Sequence, residues 1–457
     1  MTPTNLSPIH RRLIVALALS GSFLAVLTQF LLITAFPRIM AEFDVNASEV
    51  QWLTTGFMIT MAVLIPMTAF LIDKFKTRPL MMIAMFLFCL GTLVGWLAPS
   101  FEILLAGRII QGVGSGIMLP LMQTLLLLIY PREKRGFAMG LAGMVINVAP
   151  AIGPPLSGVM INVFEWRAVF LLTLPLAVGI LLLMFLFMRN VTEQRETKID
   201  ILSLLLSTIA FGGMLYGFNT IEAGGTATIS ISVGVIALAL FVVRQLRSEK
   251  PILELRVFKV PIFALVTVIS ISSFSLLISI ETILPMYVQN VQELSAFTAG
   301  IIVAPGALTL ALMSFFAGRL FDKYGGKSIA VIGFVLLSAS TLCYSFILDI
   351  DTSLVLTAVI FMISMAGVAL INMPIMTTGI NALPDSLVPH GTAIVNTARQ
   401  FGGSLGLTFI ISFIGRATTE TADPFEFLSG VKTAFFVAFL FAITGLVLSL
   451  LIKKEKR

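Results

Sequence analysis

Charge is scarce in this chain. Of its 457 residues, 11% are charged and 58% are hydrophobic, whereas a soluble globular domain carries roughly 25% charged residues. So few charges cannot cover a surface that faces water. The mean hydropathy of +1.04 agrees. The solvent must be mostly lipid, where the backbone has to satisfy its own hydrogen bonds. Histidine is nearly absent, with only His10 and His390, so no histidine cluster can form a metal site or a catalytic triad. The two cysteines, Cys89 and Cys343, both sit in apolar runs and read as small core residues, not as a disulfide or metal pair. No G-x-x-x-x-G-K-[ST] loop for nucleotide phosphates occurs. No polar stretch is long enough for a separate enzymatic domain, and no acidic or histidine cluster suggests a membrane-embedded enzyme.

What is abundant is long apolar runs. They lie near 13–36, 50–72, 79–98, 103–129, 136–162, 167–188, 200–220, 226–246, 261–287, 297–318, 327–347, 353–378, 391–414 and 431–452. A bilayer crossing needs about 20 residues, so fourteen transmembrane helices are expected. The first run follows the basic flank His10-Arg11-Arg12. It is too long for the apolar region of a signal peptide and reads as an uncleaved first helix. Alternate connections and the two ends hold 23 Lys and Arg, Lys74, Arg78, Lys323 and Lys327 among them. The opposite side holds four: Arg38, Arg167, Arg416 and Lys432. The positive-inside rule then places both termini in the cytoplasm. The net charge of +6 reports this topology and argues against a nucleic-acid partner.

An internal repeat is visible. AFLIDKFKTR runs from Ala69 to Arg78 and GRLFDKYGGK from Gly318 to Lys327, with Asp73 and Asp322 in register. Arg135-Gly136-Phe137-Ala138 and His390-Gly391-Thr392-Ala393 echo one another at similar spacing. Two six-helix halves, 1–190 and 261–457, account for this, with 191–260 inserted as two further helices. Paired halves of this kind place a substrate site near the midplane of the membrane.

These residues resemble the major facilitator superfamily, and within it the fourteen-helix drug:proton antiporters. GRLFDKYGGK fits the loop signature G-x-L-x-D-x-x-G-x-K. Arg108-Ile-Ile-Gln111-Gly112-Val-Gly114 fits R-x-x-Q-G-x-G of the fourth helix. Gly153-Pro154-Pro155-Leu156-Ser157-Gly158 resembles the fifth-helix signature of exporters. Trp166-Arg167 to Pro175 resembles W-R-x-x-F-x-x-N-x-P, with Thr173 for Asn, and Arg399-Gln400-Phe401-Gly402-Gly403 resembles R-Q-x-G-G. There are departures. Leu27-Thr28-Gln29-Phe30 replaces L-D-x-T, so the usual first-helix aspartate is missing. Ala69 and Lys76 stand where glycines are usual. Thr34-Ala35-Phe36-Pro37 looks closest to the lincomycin-resistance-type branch. The resemblance implies an all-α membrane protein of the major facilitator fold, in the cytoplasmic membrane of a bacterium. It would be a monomer without cofactor, exporting small hydrophobic or amphipathic compounds against protons by alternating access. A dedicated exporter of a lipid, fatty acid or metabolite on the same fold is the alternative, and a non-transporting sensor is a third.

Candidate residues follow. Arg108 and Gln111 share one helix face. An arginine within the membrane must face water or find partners, so Arg108 either tunes a proton site in a cavity or clamps helices through their carbonyls. Glu281 is a carboxylate well inside a span, before Pro285. It reads as the proton carrier or as an interfacial glutamate without a transport role. Asp200 and Glu222 flank the seventh run as interfacial charges. Thr28, Gln29, Gln111, Asn147, Asn372 and Asn396 could orient a ligand or tie helices together. Gly153, Pro154 and Pro155 are expected to break the fifth helix as a seal or hinge, with Gly153 and Gly158 allowing close helix approach. Asp73, Lys74, Arg78, Gly318, Asp322 and Lys323 form the expected gate, each aspartate able to cap a neighbouring helix.

Overall fold

The computed structural model describes residues 7–192, 194, 200–219, 225–414 and 424–452, with the side chains of Pro154, Asn162, Asn219, Ala296 and Pro424 outside that set. Among the described residues all regular structure is helical. The long helices are α1 (Pro8–Leu31), α2 (Trp52–Lys74), α3 (Thr77–Trp96), α4 (Phe101–Ile129), α5 (Arg135–Val163), α6 (Ala168–Phe187) and α7 (Ile201–Asn219). They continue with α8 (Gly225–Arg247), α9 (Pro261–Asn290), α10 (Ala296–Tyr324), α11 (Gly326–Ile347), α12 (Leu354–Asn381), α13 (Val388–Ile411) and α14 (Pro424–Leu450).

Thirteen of these, among the described residues, are long and apolar enough to cross a membrane. The remaining expected run, 391–414, corresponds to α13, a 24-residue helix whose hydropathy is lowered by His390, Asn396, Arg399 and Gln400. The first run begins earlier than its apolar stretch, because Ser7 accepts from the His10 N–H and Pro8 occupies the first turn. It also passes Phe36, through a 3-10 turn at Ile33–Ala35 into Phe36–Phe43. Pro37 sits in the first turn of that segment, where its missing N–H breaks no bond.

The chain divides into two compact units. The first comprises Met1–Pro131, Ala149–Arg256 and Pro384–Thr397. Its centre is α4, packed on α1, α2 and α3. Gly91 and Gly107 let α3 and α4 touch: a Cβ on either would overlap the other helix's backbone, the small-residue packing that replaces hydrophobic drive in lipid. The helices α7 and α8 pack on each other, and α7 also packs on α2.

The second unit comprises Arg132–Val148, Val257–Leu383 and Ala398–Arg457. Its core joins α9, α11, α12 and α14 through Leu276, Phe334, Phe361 and Phe435. The Tyr344 ring lies 4.6 Å from that of Phe435, and its hydroxyl donates to Thr357 O at 2.9 Å. A buried phenol in an apolar core has to find such an acceptor. The units therefore cut α5 after Val148 and α13 after Thr397.

Candidate functional site

Arg108 projects from α4 and is 1% exposed. Its Nε donates to Leu53 O at 3.1 Å, and Nη1 donates to Gln111 Oε1 at 2.9 Å and to Thr28 O at 3.5 Å. The guanidinium lies 4.4 Å from the centre of the Phe57 ring. Gln111 passes the chain on, its Nε2 donating to Thr92 Oγ1 at 2.7 Å. Arg108 and Gln111 together thus join α1, α2, α3 and α4. The Nη2 atom of Arg108 is buried with no hydrogen-bond partner among the described residues, a costly arrangement in a low-dielectric interior.

Two expected ligand contacts are spent in this network. Gln111 is fully buried with its amide engaged. Thr28 is 3% exposed, and its hydroxyl donates to Leu24 O and Ala25 O of its own helix. Neither offers a group to a ligand in this conformation. Gln29 is half-buried, and its amide makes no hydrogen bond among the described residues.

The asparagines join helices inside each unit. In the first unit Asn396 Nδ2 donates to Gln123 Oε1 at 2.5 Å. In the second, Asn147 Nδ2 donates to Ser314 Oγ at 3.0 Å, and Asn372 Oδ1 accepts from Ser273 Oγ at 3.0 Å. Asn147 and Asn396 remain half-buried, whereas Asn372 is buried.

Glu281 sits on α9 one turn before Pro285, half-buried. Its carboxylate makes no hydrogen bond or ion pair among the described residues. Arg399 on α13 is 8% exposed and lies 4.8 Å from the Phe274 ring of α9. In the sequence Arg399 stands out only as part of the Arg399–Gly403 motif.

The repeat aspartates each meet the start of a helix. Asp322 accepts from the Gly136 and Phe137 N–H groups at 2.9 and 2.8 Å, at the positive end of α5. Gly318 and Gly140 let α10 and α5 approach backbone to backbone, and Gly136 is equally crowded. Asp73, 6% exposed, meets His390 in the first turn of α13 at 3.0 Å. The other ring nitrogen of His390 accepts from the Glu254 N–H at 3.1 Å. His390 was not among the expected site residues; only its place in the repeat could have marked it. Lys74 lies beside the Phe70 and Phe75 rings, Arg78 Nη2 donates to Phe185 O at 2.7 Å, and Lys323 lies over Tyr324.

The fifth-helix expectation needs correction. Gly153-Pro154-Pro155 does not break α5, which is helical throughout Arg135–Val163. The missing proline donors are tolerated within a helix whose neighbour is tied to it: Ser157 Oγ donates to Leu31 O, and Thr34 Oγ1 donates to Ser157 Oγ at 2.5 Å. Gly153 packs closely on Phe30, but a Cβ at Gly158 would meet nothing within 4 Å, so Gly158 makes no close approach. Pro155 is exposed, and the Pro154 side chain lies outside the described residues. Asp200 lies immediately before the first residue of α7, while Glu222 lies outside the described residues. Both cysteines are free.

Membrane-length helices, tied by buried polar groups and carrying charges inside their spans, define a polytopic membrane protein. The sequence model of the Major Facilitator Superfamily matches residues 18–407, and the chain belongs to that superfamily. It is 48% identical to the uncharacterised MFS-type transporter YcnB of Bacillus subtilis (strain 168), across all of this chain and 98% of that one. It is 39% identical to the lincomycin resistance protein LmrB of Listeria innocua, over 97% of each. The human organic anion transporter MFSD10 shares the fold, with a TM-score of 0.70 at 14% identity, over 97% of this chain and all of that one.

Proposed function

We propose that the protein exports small hydrophobic or amphipathic compounds from a bacterial cell by alternating access, driven by the proton gradient. Glu281 carries this reading: a half-buried carboxylate on α9, without an ion-pair partner among the described residues, inside a membrane-length apolar helix. Such a group is a default candidate for ion or proton binding. The relationship to a protein named for lincomycin resistance supports a drug as the cargo. The two halves, 1–190 and 261–457, move against each other, with 191–260 as the insertion and both termini cytoplasmic. Asp73 and Asp322, with Lys74, Arg78, Gly318 and Lys323, hold one conformation closed. Arg108 fixes the first four helices against which the moving elements work.

The test is drug accumulation in cells that express the protein, lincomycin included, with and without a protonophore. The proposal expects lowered accumulation of several unrelated compounds, restored by the protonophore. Lowered accumulation that survives collapse of the proton gradient would contradict it. Activity toward one metabolite alone would favour a dedicated exporter.

A further inference from the structure

Beyond transport itself, we infer that the inserted helices α7 and α8 form a binding site for a monoanionic glycerophospholipid of the inner leaflet; the choice of leaflet rests on the topology proposed above. A cavity of about 480 Å3 opens between the start of α7 and the end of α8. Its apolar walls are Leu202, Leu206, Leu240 and Val243. Three of these are about half exposed, at 51%, 55% and 47% for Leu202, Leu240 and Val243. In a bilayer such surface faces acyl chains and not water.

Charge at the cavity selects the headgroup. Arg244 is already committed: Nε donates to Asp200 Oδ2 at 2.8 Å and Nη2 donates to Oδ1 at 2.9 Å. The pair is braced by Ser203, whose Oγ donates to Asp200 at 2.6 Å and accepts from Gln245 Nε2 at 2.7 Å. The Arg244 guanidinium holds the Asp200 carboxyl down to about 2, so Asp200 stays ionised and neutralises Arg244. Among the described lining residues one net positive charge then remains, that of Arg247, with Ser248 next to it in the lining. Arg247 makes no hydrogen bond or ion pair among the described residues. An exposed arginine fork at the end of α8, with Ser248 next to it and apolar walls one to two turns deeper, matches one phosphodiester and its acyl chains. A zwitterionic lipid would bring its ammonium toward Arg247 and gain less.

The experiment uses the full-length protein in neutral detergent and reads lipid binding by native mass spectrometry and thermal unfolding. The probes are phosphatidylglycerol, phosphatidylcholine and tail-free glycerol 3-phosphate, on the wild type, Arg247→Gln and Leu206→Trp. The expected result is tighter binding and a higher Tm with phosphatidylglycerol than with phosphatidylcholine. Arg247→Gln should lose that preference by about tenfold in affinity, the 1.4 kcal/mol of one charge-assisted contact. Leu206→Trp should weaken phosphatidylglycerol by filling the groove. Equal binding of the two lipids to the wild type, or a preference retained in Arg247→Gln, would overturn the site. Equal stabilisation by glycerol 3-phosphate would show a free phosphate site instead of a lipid site. None of these readouts depends on transport, so failure here is distinct from failure of the exporter reading.

Discussion

His390 Nε2 lies 3.0 Å from Asp73 Oδ2, with side-chain exposures of 4% and 9%. The geometry fixes the ring's tautomer. Nδ1 accepts from the Glu254 N–H, so it carries no proton, and Nε2 donates to the carboxylate. In the repeat-related position Asp322 takes backbone N–H groups of α5. The same loop aspartate is therefore satisfied by a side chain in one repeat and by helix amides in the other.

This difference predicts unequal effects of amide substitution. Asp322→Asn removes the charge that two N–H groups of α5 share, and hydrogen bonds to charged groups contribute about 1.5–3 kcal/mol each. Efflux should fall at least tenfold and the Tm should drop by several degrees. Asp73→Asn keeps an acceptor for His390 and should lose less stability. Paired thermal unfolding and drug-accumulation assays check this. Equal Tm losses in the two variants would contradict the assignment.

Gly318 and Gly158 should respond oppositely to a methyl group. A Cβ on Gly318 overlaps the Gly136 carbonyl oxygen, while one on Gly158 meets nothing within 4 Å. Gly318→Ala should cost about 1–3 kcal/mol, as overpacking does. Gly158→Ala should fall within about 0.5 kcal/mol of the parent. Thermal unfolding of the two single variants decides.

Arg108→Lys should not be conservative. A lysine ammonium is a point donor and cannot hold Leu53 O, Thr28 O and Gln111 Oε1 together as the guanidinium does. Gln111 Oε1, a buried side-chain acceptor, would lose its donor, which costs about 1–3 kcal/mol. We expect a clear fall in Tm for Arg108→Lys and a larger one for Arg108→Met. A Tm unchanged in Arg108→Lys would remove the clamp.

Acid should act on the Asp200–Arg244 pair only at low pH. The folded carboxyl sits at about 2, below its ordinary value of 3.8. Its contribution is therefore full above about pH 4 and is lost as pH falls through about 2. The pair is partly exposed, so the effect is below about 1 kcal/mol. Asp200→Asn should lower the Tm slightly at pH 7 and not at pH 2. A deficit that persists at pH 2 would contradict this.

The helices were legible because lipid demands long apolar runs, and the repeat was legible because Asp73 and Asp322 share a local pattern. The family showed in motifs such as Arg108–Gly114 and Gly318–Lys327. Partners were not legible. Gln123 lies in a leucine-rich stretch, and nothing nearby in sequence points to Asn396. His390 gave no signal by itself, since its two partners are 317 and 136 residues away. The continuity of α5 through Gly153-Pro154-Pro155 was misread. Proline weakens a helix locally, but Leu31 and Thr34, which tie Ser157 of α5, come from α1 and the turn that follows it.

In the proposed exchange Glu281 carries the coupling proton. The most direct measurement is drug-induced proton flux in proteoliposomes under an imposed pH gradient, comparing wild type with Glu281→Gln at matched protein density. The account predicts drug-dependent proton movement in the wild type and its loss in Glu281→Gln, with drug binding retained. Proton flux at the wild-type rate in Glu281→Gln would contradict it.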